Sequence, residues 1–341
     1  MTRISIIGLG LIGGSLGLAL KEGAGTGTEL VGFDADPSVM AAAERLGAVD
    51  RTAAAPDEAV EGAMLVIVAV PPVSVEGVFH AIAPHLAEGA VVTDTASTKG
   101  HVLRWAERHL PASVAFVGGH PMAGKSDQGI LNAEAELFRG RPYALVPAAS
   151  ASEDAVATVA SLVDRVGGDQ LFLDAAEHDR LVGAVSHLPL AASAALFTLL
   201  RRSGGWDDFA RIAGPAYRDL TRLASGDPQM SVGICTTNSD NLRYWIDRYI
   251  EELQRFRDLL EGSPETLLEE FETAQRDRAD FVGAPHPGPA PPAEFERFSV
   301  VGSLGVMLLG GRLYERLRGL GQLADRPDRF HDGGPAPAPD R

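Results

Sequence analysis

The chain has 341 residues, of which 45% are hydrophobic and 22% charged, so it is long enough for two domains and too apolar to be disordered throughout. Lys and Arg number 30 against 46 Asp and Glu, and the net charge of -16 disfavours nucleic acid as a partner because an acidic surface repels phosphate. The single cysteine, Cys235, excludes an intrachain disulfide and fits a reducing compartment.

Neither a leader peptide nor a membrane span is expected. Cleavage of a signal peptide would remove the first predicted strand, at residues 4–7. No uninterrupted apolar run reaches the roughly 18 residues that a membrane span needs. We therefore predict a cytoplasmic protein with no membrane partner.

Strand-like and helix-like segments alternate over the first 120 residues. Short apolar runs lie at residues 4–7, 30–33, 65–70, 90–93 and 114–117. The run at 65–70 is apolar throughout, which is typical of a strand buried on both faces of a parallel sheet. Because helix-length segments separate these runs, we predict an α/β fold with a doubly wound parallel sheet.

The periodicity becomes helical from residue 153 to about residue 280. Residues 177–200 are typical of one long helix that is apolar on nearly every side, which we expect in a domain core or in the interface of a homodimer. The predicted organisation is an α/β domain at 1–150, an all-helical substrate and dimerisation domain at 151–283, a Pro-rich linker at 284–293 and an extension with a disordered tail at 294–341.

A glycine pattern follows the first predicted strand and opens a helix. In this context Gly8, Gly10 and Gly13 indicate a dinucleotide site, so we predict that residues 1–150 form a Rossmann-type domain. Gly8 allows the tight turn, Gly10 lets the backbone approach a pyrophosphate and Gly13 permits close helix–strand packing.

Asp34 ends the second predicted strand, where an acid hydrogen-bonds the adenosine ribose and repels a 2′-phosphate. We therefore favour NAD over NADP, although Asp34 as a cap for the next helix is an alternative. Val70 and Pro71 lie at the end of the predicted strand at 65–70 and either line the nicotinamide ribose or only terminate the strand. The predicted cofactor-binding residues are Gly8, Gly10, Leu11, Ile12, Gly13, Asp34, Val70 and Pro71.

Two polar segments follow later strands at the same edge of the sheet. Ser97 follows the strand at 90–93, and His120 follows the strand at 114–117 in what we interpret as a tight Gly/Pro loop. A His placed there suits a general base, which alcohol dehydrogenation needs because a proton leaves the hydroxyl as hydride leaves carbon. The alternative is an ordinary surface His.

Arg218 and Arg222 are four residues apart and share a helix face. Arginine binds carboxylates through two parallel hydrogen bonds, so this pair is a candidate for binding an acidic substrate. A surface pair tied to neighbouring acids is the alternative.

Taken together, these segments resemble the prephenate dehydrogenase family, which includes arogenate dehydrogenases. The resemblance covers roughly residues 1 to 280. It is carried, in the family's order, by Gly8-Leu9-Gly10-Leu11-Ile12-Gly13-Gly14-Ser15, Asp94-x-x-Ser97-x-Lys99, Gly119-His120-Pro121-Met122-Ala123-Gly124, Glu177-His178-Asp179 with Ser186-His187-Leu188-Pro189, and Tyr217-Arg218-Asp219-x-Thr221-Arg222.

The resemblance implies NAD-dependent oxidative decarboxylation of prephenate to 4-hydroxyphenylpyruvate, on the route to tyrosine. It implies that His120 accepts a proton from the C4 hydroxyl, with Ser97 beside it. It also implies that Arg222 binds a substrate carboxylate and that Asp219 orients Arg222. Prephenate is a dianion, so this acidic protein needs a local cation to bind it.

The chain departs from the family's pattern at three positions, so arogenate stays an alternative substrate. Leu190 stands where a second His often follows Ser-His-Leu-Pro, Ser126 stands where an acid often follows the His120 motif, and Ser231 stands near an expected Trp. Lys125 is a candidate contact for a substrate carboxylate or a cofactor phosphate, or it is a solvated loop residue.

His178 and His187 are nine residues apart, so on a straight helix they point about 180° away from each other. We therefore predict no metal site. For His187 we predict helix packing near the domain interface, with substrate contact as the alternative.

Two other classes compete with this interpretation. β-Hydroxyacid dehydrogenases share the two-domain organisation but rely on a Lys in the helical domain, and residues 153–280 contain none. A non-catalytic NAD-binding sensor would keep the glycines but would have no need for both His120 and Arg222.

Overall fold

The computed structural model describes residues 2–22, 27–125 and 127–283, which belong to one compact unit, Met1–Arg297. The predicted linker at 284–293, the predicted extension at 294–341 and Ser126 lie outside the described residues.

The described chain contains one eight-stranded sheet in the order β3-β2-β1-β4-β5-β6-β7-β8. Its strands are β1 Thr2–Ile7, β2 Thr28–Phe33, β3 Arg51–Thr52, β4 Leu65–Val68, β5 Val91–Asp94, β6 Ala115–Pro121, β7 Pro142–Pro147 and β8 Asp169–Phe172. The first six strands pair in parallel, β7 pairs antiparallel with β6, and β8 pairs in parallel with β7. This topology confirms the predicted doubly wound, mainly parallel sheet.

Helices cover both faces of the sheet and continue beyond it. They are α1 Leu11–Glu22, α2 Pro37–Arg45, α3 Pro56–Val60, α4 Pro72–Ile82, α5 Gly100–His109, α6 Glu153–Arg165, α7 Ala175–Val182, α8 Leu188–Arg202, α9 Trp206–Ile212, α10 Pro215–Leu220, α11 Pro228–Thr237, α12 Ser239–Leu259 and α13 Pro264–Gly283. From α7 onward the described chain is helical, as predicted for the C-terminal part of the fold.

The apolar core lies in two layers because successive strand residues face opposite sides of the sheet. Ile6 packs in a layer with buried residues of α1, α2 and α6. Ile7 packs in the other layer with buried residues of α3, α4 and α5. All four residues of β4 are buried, as the continuous apolar run predicts.

His120 lies on a strand, and the predicted Gly/Pro loop around it is wrong. Strand β6 continues to Pro121 because β7 pairs with it, so that His120 lies opposite Ala144. Gly118 and Gly119 do not have positive φ angles. A Cβ on Gly119 would lie 2.5 Å from the Asp94 carbonyl oxygen, so glycine permits a close approach of two strands there.

The helical run 175–202 differs from the prediction in two respects. Residues 183–187 form a π-helical turn between α7 and α8. The run is also, by length and composition, the one helix in the described chain that is long and apolar enough to span a membrane, whereas we expected none. Only 22% of its most apolar 18-residue stretch is buried. The predicted place of this helix in a domain core is therefore wrong for the single chain, whereas its place in a subunit interface stays a prediction.

Strand β8 falls in a stretch where we expected only helices. Its four residues are too few for the sequence to show a strand period, and they pair with β7 along Pro142–Leu145. The sheet therefore continues past residue 150 as far as Phe172.

Candidate active site

The glycine loop connects β1 to α1, and its three glycines have different surroundings. Gly8 has a φ of 94°, and a Cβ there would lie 2.4 Å from the Ala69 carbonyl oxygen. A Cβ on Gly13 would lie 1.9 Å from the Gly8 carbonyl oxygen, so this glycine allows helix–strand contact. A Cβ on Gly10 would meet nothing within 4 Å.

The open space at Gly10 fits a pyrophosphate. Helix α1 begins at Leu11, so the first N–H groups of the helix, including those of Leu11 and Ile12, lack intrahelical acceptors. These N–H groups and the positive end of the helix dipole attract phosphate oxygens. The loop therefore has the shape and the donors that a dinucleotide requires.

Asp34 lies against this loop at the end of β2. Its carboxylate accepts hydrogen bonds from the N–H groups of Leu9, at 2.8 Å, and of Asp36, at 3.0 Å. The cap of α2 is Asp36, which accepts the Ser38 N–H at 2.8 Å, so the alternative role of Asp34 as a helix cap is wrong. Since each carboxylate oxygen accepts more than one hydrogen bond, Asp34 retains capacity for a ribose hydroxyl.

Val70 and Pro71 lie on the other side of the glycine loop. The Val70 side chain would be 2.9 Å from a Cβ on Gly8, and Pro71 directly precedes α4. Strand β4 already ends at Val68. Both residues are therefore next to the glycine loop, and their contact with the nicotinamide ribose stays a prediction.

We expect Gly10→Ala to weaken NAD binding and Gly13→Ala to destabilise the fold. Gly10→Ala should keep the wild-type melting temperature while weakening NAD binding by about 10-fold or more, because the methyl group occupies the space where a phosphate approaches the backbone. Gly13→Ala should lower the free energy of unfolding by about 1–3 kcal/mol, because the new atom collides with backbone. Calorimetry of unfolding and of NAD titration separates the two effects, and unchanged NAD affinity in Gly10→Ala would contradict the assignment.

His120 is 8% exposed and is surrounded by ionisable groups. Its Nδ1 lies 2.9 Å from Nε2 of His178 on α7. Burial lowers the pKa of His120 well below its usual value, and the neighbouring His178, Lys99 and His187 act in the same direction. His120 is therefore neutral near pH 7, as a proton acceptor must be.

Asp179 connects this histidine pair to the start of α5. Its Oδ1 lies 2.8 Å from Nδ1 of His178, and its two oxygens accept the N–H groups of Lys99, at 2.7 Å, and Gly100, at 2.8 Å. Burial favours the neutral acid, yet the hydrogen bonds from His178, Lys99 and Gly100 hold the pKa of Asp179 below its usual value. Sequence reasoning assigned no role to His178 or Asp179, although both lie in a motif that it singled out.

Lys99 is fully buried and holds β5, its following loop and β6 together. Its ammonium pairs with Asp94 and donates to the Gly119 carbonyl at 2.6 Å. Asp94 also accepts the N–H groups of Ala96, at 2.8 Å, and Gly119, at 3.1 Å. Burial lowers the pKa of Lys99, and Asp94 opposes that shift.

His187 is fully buried at the end of the π-helical turn. Its Nδ1 lies 3.0 Å from the Asn238 side-chain nitrogen, and Asn238 also donates to the Asp179 carbonyl at 2.7 Å. The Nε2 atom has no hydrogen-bond partner among the described residues. Burial lowers the pKa of His187 to about 4, while the negative charge of Asp179 acts in the opposite direction.

The argument that His178 and His187 must face opposite ways is therefore wrong. A π-helical turn adds a residue to the helix and changes the phase of the residues that follow it. Both rings reach the neighbourhood of His120, where each affects its pKa. Within the described ranges no group of three potential ligands is placed to hold a metal ion.

The predicted substrate-binding residues lie on other segments. Arg222 and Asp219 are exposed, and Arg222 begins a 3₁₀ turn that packs against α8, where the Ala224 N–H bonds Ser193 Oγ at 3.1 Å. Lys125 pairs with Glu134, whose N–H in turn bonds Ser15 Oγ of α1 at 2.9 Å. Convergence of Arg222 and Lys125 on a substrate near His120 stays a prediction.

A cavity of about 1300 Å³ opens elsewhere in the sheet. Thr2, Ile4, Leu65, Val91 and Ala115 line it, at or near the amino ends of their strands. Ligands of open α/β sheets bind at the carboxyl ends, where the glycine loop and His120 lie. We therefore assign no part of the active site to this cavity.

The buried histidines should make the fold sensitive to acid. Folding holds His187 neutral down to a pKa of about 4, whereas the unfolded chain takes up a proton below about pH 6.5. Stability from this group is therefore complete above pH 6.5 and falls by about 3 kcal/mol as the pH drops to 4. Denaturant titrations between pH 7 and 4 measure this loss. His187→Gln should make the pH dependence shallower, and the exposed His85→Gln should not; equal slopes in all three proteins would contradict this account.

Comparison with known proteins gives consistent matches over most of the chain. The family model described as "Prephenate dehydrogenase, nucleotide-binding domain" matches residues 16–171, and the model described as "Prephenate dehydrogenase, dimerization domain" matches residues 174–273. Prephenate dehydrogenase of Bacillus subtilis is 33% identical over 278 residues, which are 80% of this chain and 74% of that protein.

Two solved structures resemble the whole described fold. The crystal structure of prephenate dehydrogenase from Aquifex aeolicus in complex with hydroxyphenyl propionate and NAD+ superposes with a TM-score of 0.76 at 28% identity, covering 82% of this chain and 98% of that one. Synechocystis arogenate dehydrogenase superposes with a TM-score of 0.69 at 27% identity, covering 82% and 100%.

Proposed function

We propose, since this chain belongs to the prephenate dehydrogenase family, that it carries out the NAD-dependent oxidative decarboxylation of prephenate to 4-hydroxyphenylpyruvate. The observation that carries this proposal is a buried, neutral His120 at the carboxyl edge of the same sheet that presents the glycine loop. A general base and a dinucleotide site in that arrangement suit removal of a proton and a hydride from one carbinol group.

NAD, when bound at the glycine loop, supplies the hydride acceptor. His120 takes the proton of the C4 hydroxyl as hydride leaves C4, so that a ring carbonyl forms. Loss of the ring carboxylate as carbon dioxide then makes the ring aromatic, and His120 returns its proton to the phenolate oxygen. The reaction consumes no net proton, so His120 needs to hold one only transiently.

Ser97 and His187 are the other polar groups that we place around the reacting hydroxyl. Ser97 is half-buried in the loop after β5. The partnerless Nε2 of the buried His187 supports a contact with bound substrate or cofactor, because a buried polar atom without a hydrogen bond is costly. Neither group replaces His120 as the base.

Substrate charge requires a local cation in a protein whose net charge is -16. We propose that Arg222 binds the side-chain carboxylate of dianionic prephenate and that Asp219, three residues earlier, orients Arg222. Lys125 is already paired with Glu134, which favours a role beside α1 over a role at the ring. Arogenate, with an amino group on the side chain, is the second candidate substrate because the solved structures that resemble this chain include an arogenate dehydrogenase.

The enzyme is a homodimer in this proposal, and we place it in the cytoplasm. The family model matched at 174–273 is that of a dimerization domain. Large apolar side chains are exposed on the helices of this region, among them Leu199 at 62%, Leu253 at 51% and Phe271 at 55%. A second copy covering these side chains removes apolar surface from water.

Initial rates of NADH formation with prephenate, arogenate and a 3-hydroxyacid test the proposed function. We expect the highest kcat/KM with prephenate and NAD, with one carbon dioxide released per NADH. A higher kcat/KM with arogenate would make arogenate the preferred substrate and prephenate the second candidate. Activity with the 3-hydroxyacid alone, or with none of the three compounds, would overturn the assignment.

Arg222→Ala should raise the KM for prephenate by about 10- to 100-fold, since the carboxylate loses a charge-assisted hydrogen-bond pair. The control is Arg218→Ala. Helix α10 ends at Leu220 and Arg222 begins a separate 3₁₀ turn, so the predicted shared helix face of the two arginines is wrong. Arg218 is exposed, and its Nε donates to the Ala213 carbonyl at 3.4 Å. We expect wild-type KM values for the control. An effect of Arg222→Ala on NAD affinity alone would contradict the carboxylate role.

A further inference from the structure

Three buried ionisable groups form a continuous hydrogen-bonded chain that ends at His120. Asp179 Oδ1 lies 2.8 Å from His178 Nδ1, and His178 Nε2 lies 2.9 Å from His120 Nδ1. The relative exposures of Asp179, His178 and His120 are 6%, 0% and 8%. Since water is nearly excluded, each group depends on the others for its hydrogen bonds.

The carboxylate fixes the direction of both hydrogen bonds. Asp179 is held in its ionised form by the N–H groups of Lys99 and Gly100, so it can only accept, and His178 Nδ1 must carry a proton and donate. Burial lowers the pKa of His178, so this ring is neutral and its Nε2 accepts. The hydrogen in the second bond therefore belongs to Nδ1 of His120, which leaves the lone pair on Nε2 of His120.

We propose that His178 and Asp179 are positioning residues that lock His120 in the Nδ1–H tautomer, so that Nε2 is the atom that receives the substrate proton. The proposal deepens the proposed function and rests on it for the identity of the substrate. Without the lock, the other tautomer would present an N–H to the hydroxyl, and His120 could not accept the proton.

The same chain stabilises the imidazolium that forms when Nε2 takes the proton. Its Nδ1–H then points along His178 toward the negative charge of Asp179, two hydrogen bonds away. The other titratable groups that act on His120 are Lys99 from the β5–α5 segment and His187 from the π-helical turn. Lys99 and Asp94 pair with each other, so Asp179 is the carboxylate that is connected to His120 through hydrogen bonds.

Nitrogen-15 NMR of histidine-labelled protein tests the lock without substrate or cofactor. The shifts distinguish protonated from unprotonated ring nitrogens, and loss of signals in His120→Asn assigns the His120 ring. We expect a protonated Nδ1 and an unprotonated Nε2 on His120 at pH 7.5. A protonated Nε2 would overturn the proposal whatever the enzyme's substrate is, so the result is independent of the proposed function.

Asp179→Asn should weaken the chain, because a neutral amide cannot accept all three hydrogen bonds that the carboxylate accepts from His178, Lys99 and Gly100. With the amide nitrogen toward His178 the tautomers of both rings reverse, and with the amide oxygen toward His178 the tautomers stay but the negative charge that stabilises the imidazolium is lost. In either orientation we expect kcat for prephenate to fall by about 100-fold or more, with the KM within about threefold of wild type. His178→Gln, whose side-chain oxygen accepts the His120 Nδ1–H, should keep the tautomer and more activity than His178→Leu.

The matched control is Asp174→Asn, which makes the same change at the N-terminus of α7. Asp174 accepts the Glu177 N–H at 2.8 Å, and asparagine caps helices equally well. We expect wild-type kcat and tautomer in this control. Unchanged kcat in folded Asp179→Asn would contradict the proposal, and if this variant does not fold, the wild-type tautomer and the comparison of His178→Gln with His178→Leu still decide it.

Discussion

His120→Asn lowers kcat by about 100-fold or more and leaves NAD binding unchanged, if His120 is the proton acceptor. The substitution is chosen because the asparagine Nδ2–H group can still donate to Nε2 of His178, so the strand keeps its hydrogen bond across to α7. What it loses is the second ring nitrogen, which is the only base that the proposed reaction uses.

Steady-state rates and NAD titrations on the same preparation measure both quantities. The control is His85→Asn, which removes an exposed histidine from the turn after α4 and should leave kcat unchanged. A His120→Asn enzyme with more than about a tenth of wild-type kcat would remove this residue from the chemistry.

The kcat/KM of the wild-type enzyme should also stay high at mildly acidic pH. His120 works when unprotonated, and its pKa is well below the usual value, so the base is lost only when the pH falls below that lowered pKa. The acid limb of a kcat/KM profile should therefore lie below pH 6.5, whereas an acid limb above pH 6.5 would show a raised pKa and contradict the environment described.

Asp94→Ala should lower the free energy of unfolding by about 3–5 kcal/mol, the usual cost of leaving one member of a buried ion pair without its partner. Both side chains of the Asp94–Lys99 pair are fully buried. The substitution leaves the Lys99 ammonium with the Gly119 carbonyl but without a counter-charge, and it leaves the N–H groups of Ala96 and Gly119 without an acceptor.

Lys99→Met should cost less, because Asp94 keeps its two backbone donors and methionine fills similar space. The double variant should be more stable than Asp94→Ala alone, since no unpaired charge is then buried. Denaturant unfolding of the four proteins gives the coupling energy. Additive costs would show that the two groups do not depend on each other, contrary to the geometry.

Local sequence patterns predicted the parts of the site that local structure determines. Gly8, Gly10 and Gly13 lie in one turn, and the conformation of this turn follows from the need for a tight bend and close packing. Asp34 follows directly from the end of β2. The doubly wound sheet was predictable for the same reason, because each strand–helix unit has its own apolar period.

Partners that lie far apart in the chain were not predictable in this way. His120 was singled out, but its strand context depends on β7, and its ring partner is 58 residues away. Asp179 reaches Lys99 across 80 residues. The π-helical turn before His187 has no strong sequence signal, so the straight-helix geometry gave the wrong directions for His178 and His187.

The crystal structure of this protein with NAD and 4-hydroxyphenylpyruvate tests the central claim most directly. We predict the phenolic oxygen within about 3 Å of His120 Nε2, the side-chain carboxylate on the Arg222 guanidinium, and C4 of the ring facing the nicotinamide. A product bound with its hydroxyl away from His120, or an Arg222 that does not reach the same cleft, would contradict the proposed chemistry and leave only a dinucleotide-binding site.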